Sequence, residues 1–178
     1  MAPTKHLLIV CYGAQKFYKE ATFLLLSLCH WHSPESMQDV QIHLYTEHPE
    51  RWHSLPPLPM NIVPIAAHMA AWSGANKYTY RIKTEALAHL AATVQGAIIQ
   101  LDTDTAIAQP LDQLWQAIAS GQRFMHLPEG TVQSKQNPTL RSIYQQVKTA
   151  PNASFQHSQP LEQYMLWNSG LIGLQAQD

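Results

Sequence analysis

Two carboxylates one residue apart, Asp102 and Asp104, stand where an apolar run ends, in Gly96-Ala97-Ile98-Ile99-Gln100-Leu101-Asp102-Thr103-Asp104-Thr105. On a turn leaving a strand, a pair at this spacing can converge on one hard divalent cation. Mg²⁺ and Mn²⁺ prefer oxygen ligands and commonly bridge carboxylates to substrate phosphates. Thr103 between them keeps the backbone compact and adds no competing charge. The plainer use of aspartate after a strand is to cap its own turn; the apolar run in front favours metal binding. A second polar segment, Tyr12-Gly13-Ala14, closes the run His6 to Cys11. Ligands of open α/β sheets bind beyond the carboxyl ends of the strands, so both segments fall where a ligand is expected.

The elements that must position these segments are readable in order. His6 to Gly13 is a continuous apolar run ended by glycine, the pattern of a central strand covered on both faces. Phe17, Tyr18, Ala21, Leu24, Leu25 and Leu28 recur at three- and four-residue steps and predict a helix with one apolar stripe. Val40 to Tyr45 reads as a second strand with Thr46 to Pro49 as its exit loop, and Asn61 to Ile65 as a third, with Pro64 pointing to an edge or an irregular end. Trp72 to Asn76 reads as a loop. A helix follows with Ile82, Ala86, Leu87 and Leu90 on one face, then the strand Gly96 to Leu101. Pro110 suits the first turn of a helix carrying Leu111, Leu114, Trp115 and Ile118, which Gly121 would stop. Arg123 to Leu127 is an expected strand, and a polar loop leads to a helix with Leu140, Ile143, Tyr144 and Val147. A second polar loop spans Pro151 to Pro160, and Tyr164 to Leu174 runs from loop to strand through Trp167-Asn168-Ser169-Gly170. Strands alternating with amphipathic helices predict a three-layer α/β/α sandwich on a mostly parallel sheet, in one domain over residues 1–178.

Composition narrows the partners. The 178 residues are 46% hydrophobic and 13% charged, a globular balance, and the formal net charge of −1 offers no broad attraction to nucleic acid or an anionic membrane. Basic residues must therefore act locally. Cys11 and Cys29 fall in apolar runs and read as small buried residues. The apolar stretches Leu7 to Val10 and Phe23 to Leu26 are too short for a signal core or a membrane span, so a cytoplasmic protein is expected. Asn152-Ala153-Ser154 matches a glycosylation acceptor that carries no weight without a secretory signal. Of the ten histidines, His30, His32, His48 and His53 lack a partner pattern and read as exposed or capping, whereas His126 ends a predicted strand on the ligand side.

The run from Gly96 to Thr105 resembles the strand and DxD motif of nucleotide-sugar glycosyltransferases with the GT-A, Rossmann-like fold, most of all the glycogenin and galactosyltransferase-like group, family 8. Leu7 to Gly13 is similar to that family's first strand, whose end holds the base. Tyr80-Arg81-Ile82-Lys83 opens a helix where the family places basic residues near the diphosphate, and Trp167 to Leu174 resembles its Asn-Ser-Gly segment.

The resemblance implies transfer, with retention of anomeric configuration, from a nucleoside-diphosphate sugar, UDP-linked, to a sugar, protein or lipid acceptor. Mn²⁺ or Mg²⁺ would serve as cofactor. Asp102 would contact ribose and metal, with Thr103 beside it, and Asp104 would ligate the metal. Arg81 and Lys83 would face the diphosphate, and Cys11, Tyr12 and Gly13 would border the base. Asn168 and Ser169 would hydrogen-bond the donor sugar or the acceptor. The relatives also continue past this strand to a histidine that completes the metal site. The last histidine here is His157, so the acceptor-side portion and that ligand are expected to be missing.

Two other readings are open. The chain could bind a nucleotide sugar without transferring it, or be an incomplete fold stabilised by a partner. It could also be a haloacid-dehalogenase-type phosphatase, whose aspartate pair continues to Thr or Val where this chain has Ala106 and ends the first strand of its fold.

Overall fold

The computed structural model describes residues 4–52, 58–131 and 165–177. The chain divides into two compact units, Met1–Phe124 with Gly170–Asp178, and Met125–Ser169.

The first unit is built around the two apolar runs. β1 (Lys5–Cys11) and β4 (Ala97–Leu101) lie side by side in parallel, Lys5 opposite Ala97 and Ile9 opposite Leu101. Their residues are buried almost throughout because helices cover both faces. β2 (Val40–Thr46) pairs in parallel with the other side of β1, and β3 (Met60–Pro64) with β2. β3 is the sheet's edge and ends on Pro64, where a missing N–H costs no ladder bond.

One face packs under α1 (Gln15–Trp31) and α4 (Asp112–Ala119). Leu24, Leu25 and Leu28 of α1 and Trp115 and Ile118 of α4 meet Leu7, Ile9, Ile42 and Ile99 there. The other face packs under α2 (Met69–Ser73) and α3 (Arg81–Ala91), where Ile82, Ala86 and Leu90 meet Leu8, Val10, Tyr45 and Ile98. Three layers result, as the alternation of periods predicts. α2 runs into the loop expected from Trp72, and a short 3₁₀ turn, Pro49–Trp52, starts at the last residue of the expected exit loop.

The expectation of a mostly parallel sheet holds for β3-β2-β1-β4 and changes beyond it. β8 (Leu171–Gln175) runs antiparallel to β4, Leu171 opposite Leu101 and Gln175 opposite Ala97. β5 (Phe124–Met125), shorter than the expected Arg123 to Leu127, follows at the far edge, giving the order β3-β2-β1-β4-β8-β5. Gly173 in β8 is required by Phe124: a Cβ there would meet the phenyl ring at 2.1 Å.

In the second unit, β6 (Pro128–Thr131) and β7 (Met165–Trp167) form an antiparallel ribbon with a bulge between Pro128 and Gly130. β6 occupies a stretch read as polar loop. The expected helix at Leu140 to Val147, the loop Pro151 to Pro160, the Asn152 triplet and His53 lie outside the described residues.

Candidate functional site

Parallel pairing of β1 with β4 brings the two polar segments to the same end of the sheet. They border a cavity of about 260 Å³ lined by Val10, Tyr12, Phe17, Thr79, Tyr80, Lys83, Asp102, Thr103 and Asp104. The DxD segment, the residue after β1 and the start of α3, distant in sequence, thus form one concave surface.

The turn carrying the carboxylates is pinned from several sides. The Asp102 N–H donates to the Gly170 carbonyl at 3.0 Å, tying it to the approach of β8. The Thr105 hydroxyl donates back to the Asp102 carbonyl at 2.7 Å. Thr103 is buried, and its hydroxyl donates to Glu20 of α1 at 3.4 Å. Asp102 is mostly buried and Asp104 exposed, so the two present carboxylates at different depths.

Lys83 supplies the positive charge. Its ammonium lies 2.8 Å from Asp102 Oδ1, an ion pair without hydrogen-bond geometry, with both side chains about four-fifths buried (21% and 19% exposed). Arg81 turns elsewhere: its guanidinium pairs with Glu85 at 2.6 Å and lies over Gly74. Two residues apart on a helix, these basic groups cannot share a face, and Lys83 is the one at the cavity.

Of the segment after β1, Tyr12 lines the cavity and its hydroxyl donates to the Thr79 carbonyl at 2.8 Å, joining β1 to the approach of α3. Burial first, then the negative charge of Asp102 and the neighbouring Tyr80, push the Tyr12 phenol up to about 12. It stays protonated, as a donor must. Gly13 has φ 84°, favourable only to glycine, and its N–H donates to Glu47 Oε2 at 3.0 Å. The Cys11 side chain points into the core, and burial raises its thiol to about 12, so it contributes packing and a backbone carbonyl bonded by the Glu47 N–H.

Asn168 and Ser169 belong to the second unit. The Asn168 amide donates to Glu129 Oε1 at 3.0 Å, its Oδ1 lies 3.4 Å from His126 Nδ1, and its N–H donates to the Leu127 carbonyl at 2.8 Å. Within that unit the side chain joins both strands of the ribbon and meets His126, the histidine singled out from the sequence. Ser169 follows as irregular backbone.

Asp102 and Asp104 fit a hard divalent cation in kind. Both offer carboxylate oxygen, the donor Mg²⁺ and Mn²⁺ prefer, and Asp102 Oδ1 already attracts a cation, the Lys83 ammonium. No third His, Cys, Asp or Glu joins them among the described residues.

Sequence reasoning missed a buried imidazole pair at the opposite end of β1. His6 and His43 sit 3.0 Å apart, ring nitrogen to ring nitrogen, and His6 Nε2 lies 3.1 Å from the Gln95 carbonyl. That carbonyl can only accept, so His6 Nε2 carries a proton, His6 Nδ1 accepts, and His43 Nε2–H donates to it. Burial lowers both, with the proximity of His6 adding to it at His43, which falls to about 4. The only signal was one polar residue within each apolar strand. His32, read as exposed or capping, is buried and accepts from the Leu111 N–H at the start of α4 at 3.2 Å.

A model of the Rhodobacterales glycosyltransferase domain matches residues 8–178. Mouse xyloside xylosyltransferase 1 superposes with a TM-score of 0.59 at 16% identity, over 97% of this chain and 67% of that one. The glycosyltransferase GlyE of Streptococcus pneumoniae superposes at 0.48 with 12% identity, over 97% of this chain and 34% of its own. No curated protein matches in sequence. At such identities the likeness concerns the fold, which is GT-A.

Proposed function

The chain belongs to the Rhodobacterales glycosyltransferase domain family, and from that footing we propose that it uses a nucleoside-diphosphate sugar, UDP-linked, as donor, and that the cavity beyond β1 and β4 holds the diphosphate. The observation that carries this reading is the Lys83–Asp102 pair at 2.8 Å beside Asp104 in one lined cavity. An ammonium and two carboxylates arranged this way suit a ligand that brings both a polyanion and a divalent cation.

Asp102 and Asp104 would hold Mn²⁺ or Mg²⁺, with phosphate and water oxygens completing the shell. When bound, the ion would act as a Lewis acid that neutralises the departing diphosphate. Lys83 exchanges its contact with Asp102 for phosphate oxygens and adds charge where the leaving group develops it. The buried Thr103 and the tethers to Glu20 and Gly170 keep the carboxylates in place before the donor arrives. Tyr12, held by Thr79, walls the cavity on the side of β1 and borders the base. A leaving group stabilised in this way needs no strong base, which accords with retention of configuration as in family 8. Arg81 serves as outlying positive charge. The protein works in the cytoplasm; no helix among the described residues is long and apolar enough to cross a membrane.

The test is calorimetric titration of UDP and a panel of UDP-sugars, with and without Mn²⁺, into the protein and into an Asp102→Ala/Asp104→Ala double variant. Metal-dependent UDP binding that disappears in the folded double variant supports the donor site. Well-folded wild-type protein that ignores UDP at every Mn²⁺ concentration overturns it. Donor binding without any release of UDP from UDP-sugars, across a panel of acceptors, would favour a binding domain that does not transfer.

A further inference from the structure

From the Tyr80 wall of the cavity a pair of tyrosines runs out to the surface. Tyr78 and Tyr80 are among the most exposed large side chains described, at 57% and 66%, and their ring centroids lie 5.7 Å apart at an interplanar angle of 44°. Isolated exposed tyrosines are ordinary; two in contact, one of them lining a cavity with two carboxylates, are not. The segment is also held firmly. The Tyr78 N–H donates to the Ser73 carbonyl at 2.9 Å, the Tyr12 hydroxyl fixes Thr79 between the two rings, and the Arg81 N–H bonds the Tyr78 carbonyl at 3.1 Å. Lys77, immediately before, is the one non-glycine residue with positive φ, at 51°, among those described. Such backbone persists where the surroundings impose it.

We infer that Tyr78 and Tyr80 form a stacking platform for the acceptor, and that the acceptor is a saccharide presenting the C–H face of a pyranose ring. This rests on the donor-site reading above. The geometry excludes insertion between the rings. At 5.7 Å the two rings already touch, so no flat heterocycle enters between them as it would a slot of two parallel faces. What they offer is one tilted outer surface with a negative π face. The C–H groups on one side of a pyranose, polarised by the ring's oxygens, match such a surface, while its hydroxyls stay outward. The base already has its wall in Tyr12.

Saturation-transfer NMR with methyl glycosides of glucose, galactose, xylose and N-acetylglucosamine, beside UDP calorimetry in Mn²⁺, tests this on wild type and on Tyr78→Ala, Tyr80→Ala and Tyr80→Phe. At least one glycoside should bind, with strongest transfer to the ring protons of one face. Its affinity should fall tenfold or more in either alanine variant and recover in Tyr80→Phe, with the UDP affinity of Tyr78→Ala, whose side chain does not line the cavity, shifting less than threefold. A wild type that binds UDP but none of the glycosides overturns the proposal. So does a loss of UDP affinity in the alanine variants with glycoside binding unchanged, which would assign the platform to the base. Absence of UDP binding in wild type defeats the donor-site reading instead, and the glycoside arm is then read separately. Unchanged melting temperatures exclude misfolding.

Discussion

A polar pair lies near each end of the central strands β1 and β4, and the two pairs are opposites. Near the amino end, His6 and His43 share one proton between facing nitrogens, His6 is closed off by the Gln95 carbonyl, and both are neutral. Beyond the carboxyl end, Lys83 and Asp102 meet as full charges at 2.8 Å without hydrogen-bond geometry, on the wall of a cavity. The first pair is complete within the fold. The second has oxygen and ammonium valences left for a ligand. A closed polar pair is a structural device, whereas an open one is a candidate site.

That contrast breaks if the two pairs answer to the same variants. The largest effect is expected at the open pair. Asp102→Asn should weaken UDP–Mn²⁺ binding at least ~100-fold, since loss of a direct ligand exceeds the usual 10–100-fold cost of losing a supporting group. Chemical denaturation should show the fold retained, and a binding loss that merely tracks unfolding would remove the distinction.

The closed pair should answer to pH alone. His43 takes a proton near pH 6.5 in the unfolded chain and only near 4 in the fold. Stability is therefore fully present above pH 6.5 and declines as pH falls toward 4, by roughly 3 kcal/mol. Urea melts across that window should show the decline in wild type and a flatter profile in His6→Leu/His43→Leu. UDP affinity of that variant at pH 7.5 should match wild type.

Lys83→Met sharpens the comparison from the other side. It should weaken UDP binding about tenfold, the scale of a charge-assisted contact. It should also raise affinity for Mn²⁺ alone, because Lys83 competes for Asp102; Mn²⁺ electron paramagnetic resonance reads this directly. Equal weakening of both would make Lys83 a mere scaffold. The smallest effect belongs to Thr103→Val, which removes one long hydrogen bond to Glu20 and should cost UDP affinity two- to fivefold, about 0.5–1 kcal/mol.

How much of this was legible in sequence depends on the range of each signal. β1 and β4 were plain because strands covered on both faces must be apolar throughout, and α1 because its stripe repeats at helical steps. Asp102 to Asp104 were legible because they end such a run. Which of Arg81 and Lys83 reaches the cavity was not: spacing puts them on different faces but does not say which face meets β4. The imidazole pair was hidden because His6 and His43 meet only through the β1–β2 register, with Leu8 opposite His43. The direction of β8 was equally hidden, since an apolar strand reads alike in either sense. Tyr78 and Tyr80 carried no periodicity and became meaningful only as a touching pair.

The antiparallel return of β8 has a consequence for biosynthesis. β4 and its carboxylate turn are made early, yet the Asp102 amide finds its partner, the Gly170 carbonyl, only when the last stretch of this sequence emerges from the ribosome. Until then one flank of β4 is an open edge, exposed to misassembly and to chaperones. On the donor-site proposal, a nascent chain arrested before residue 170 should hold no nucleotide sugar.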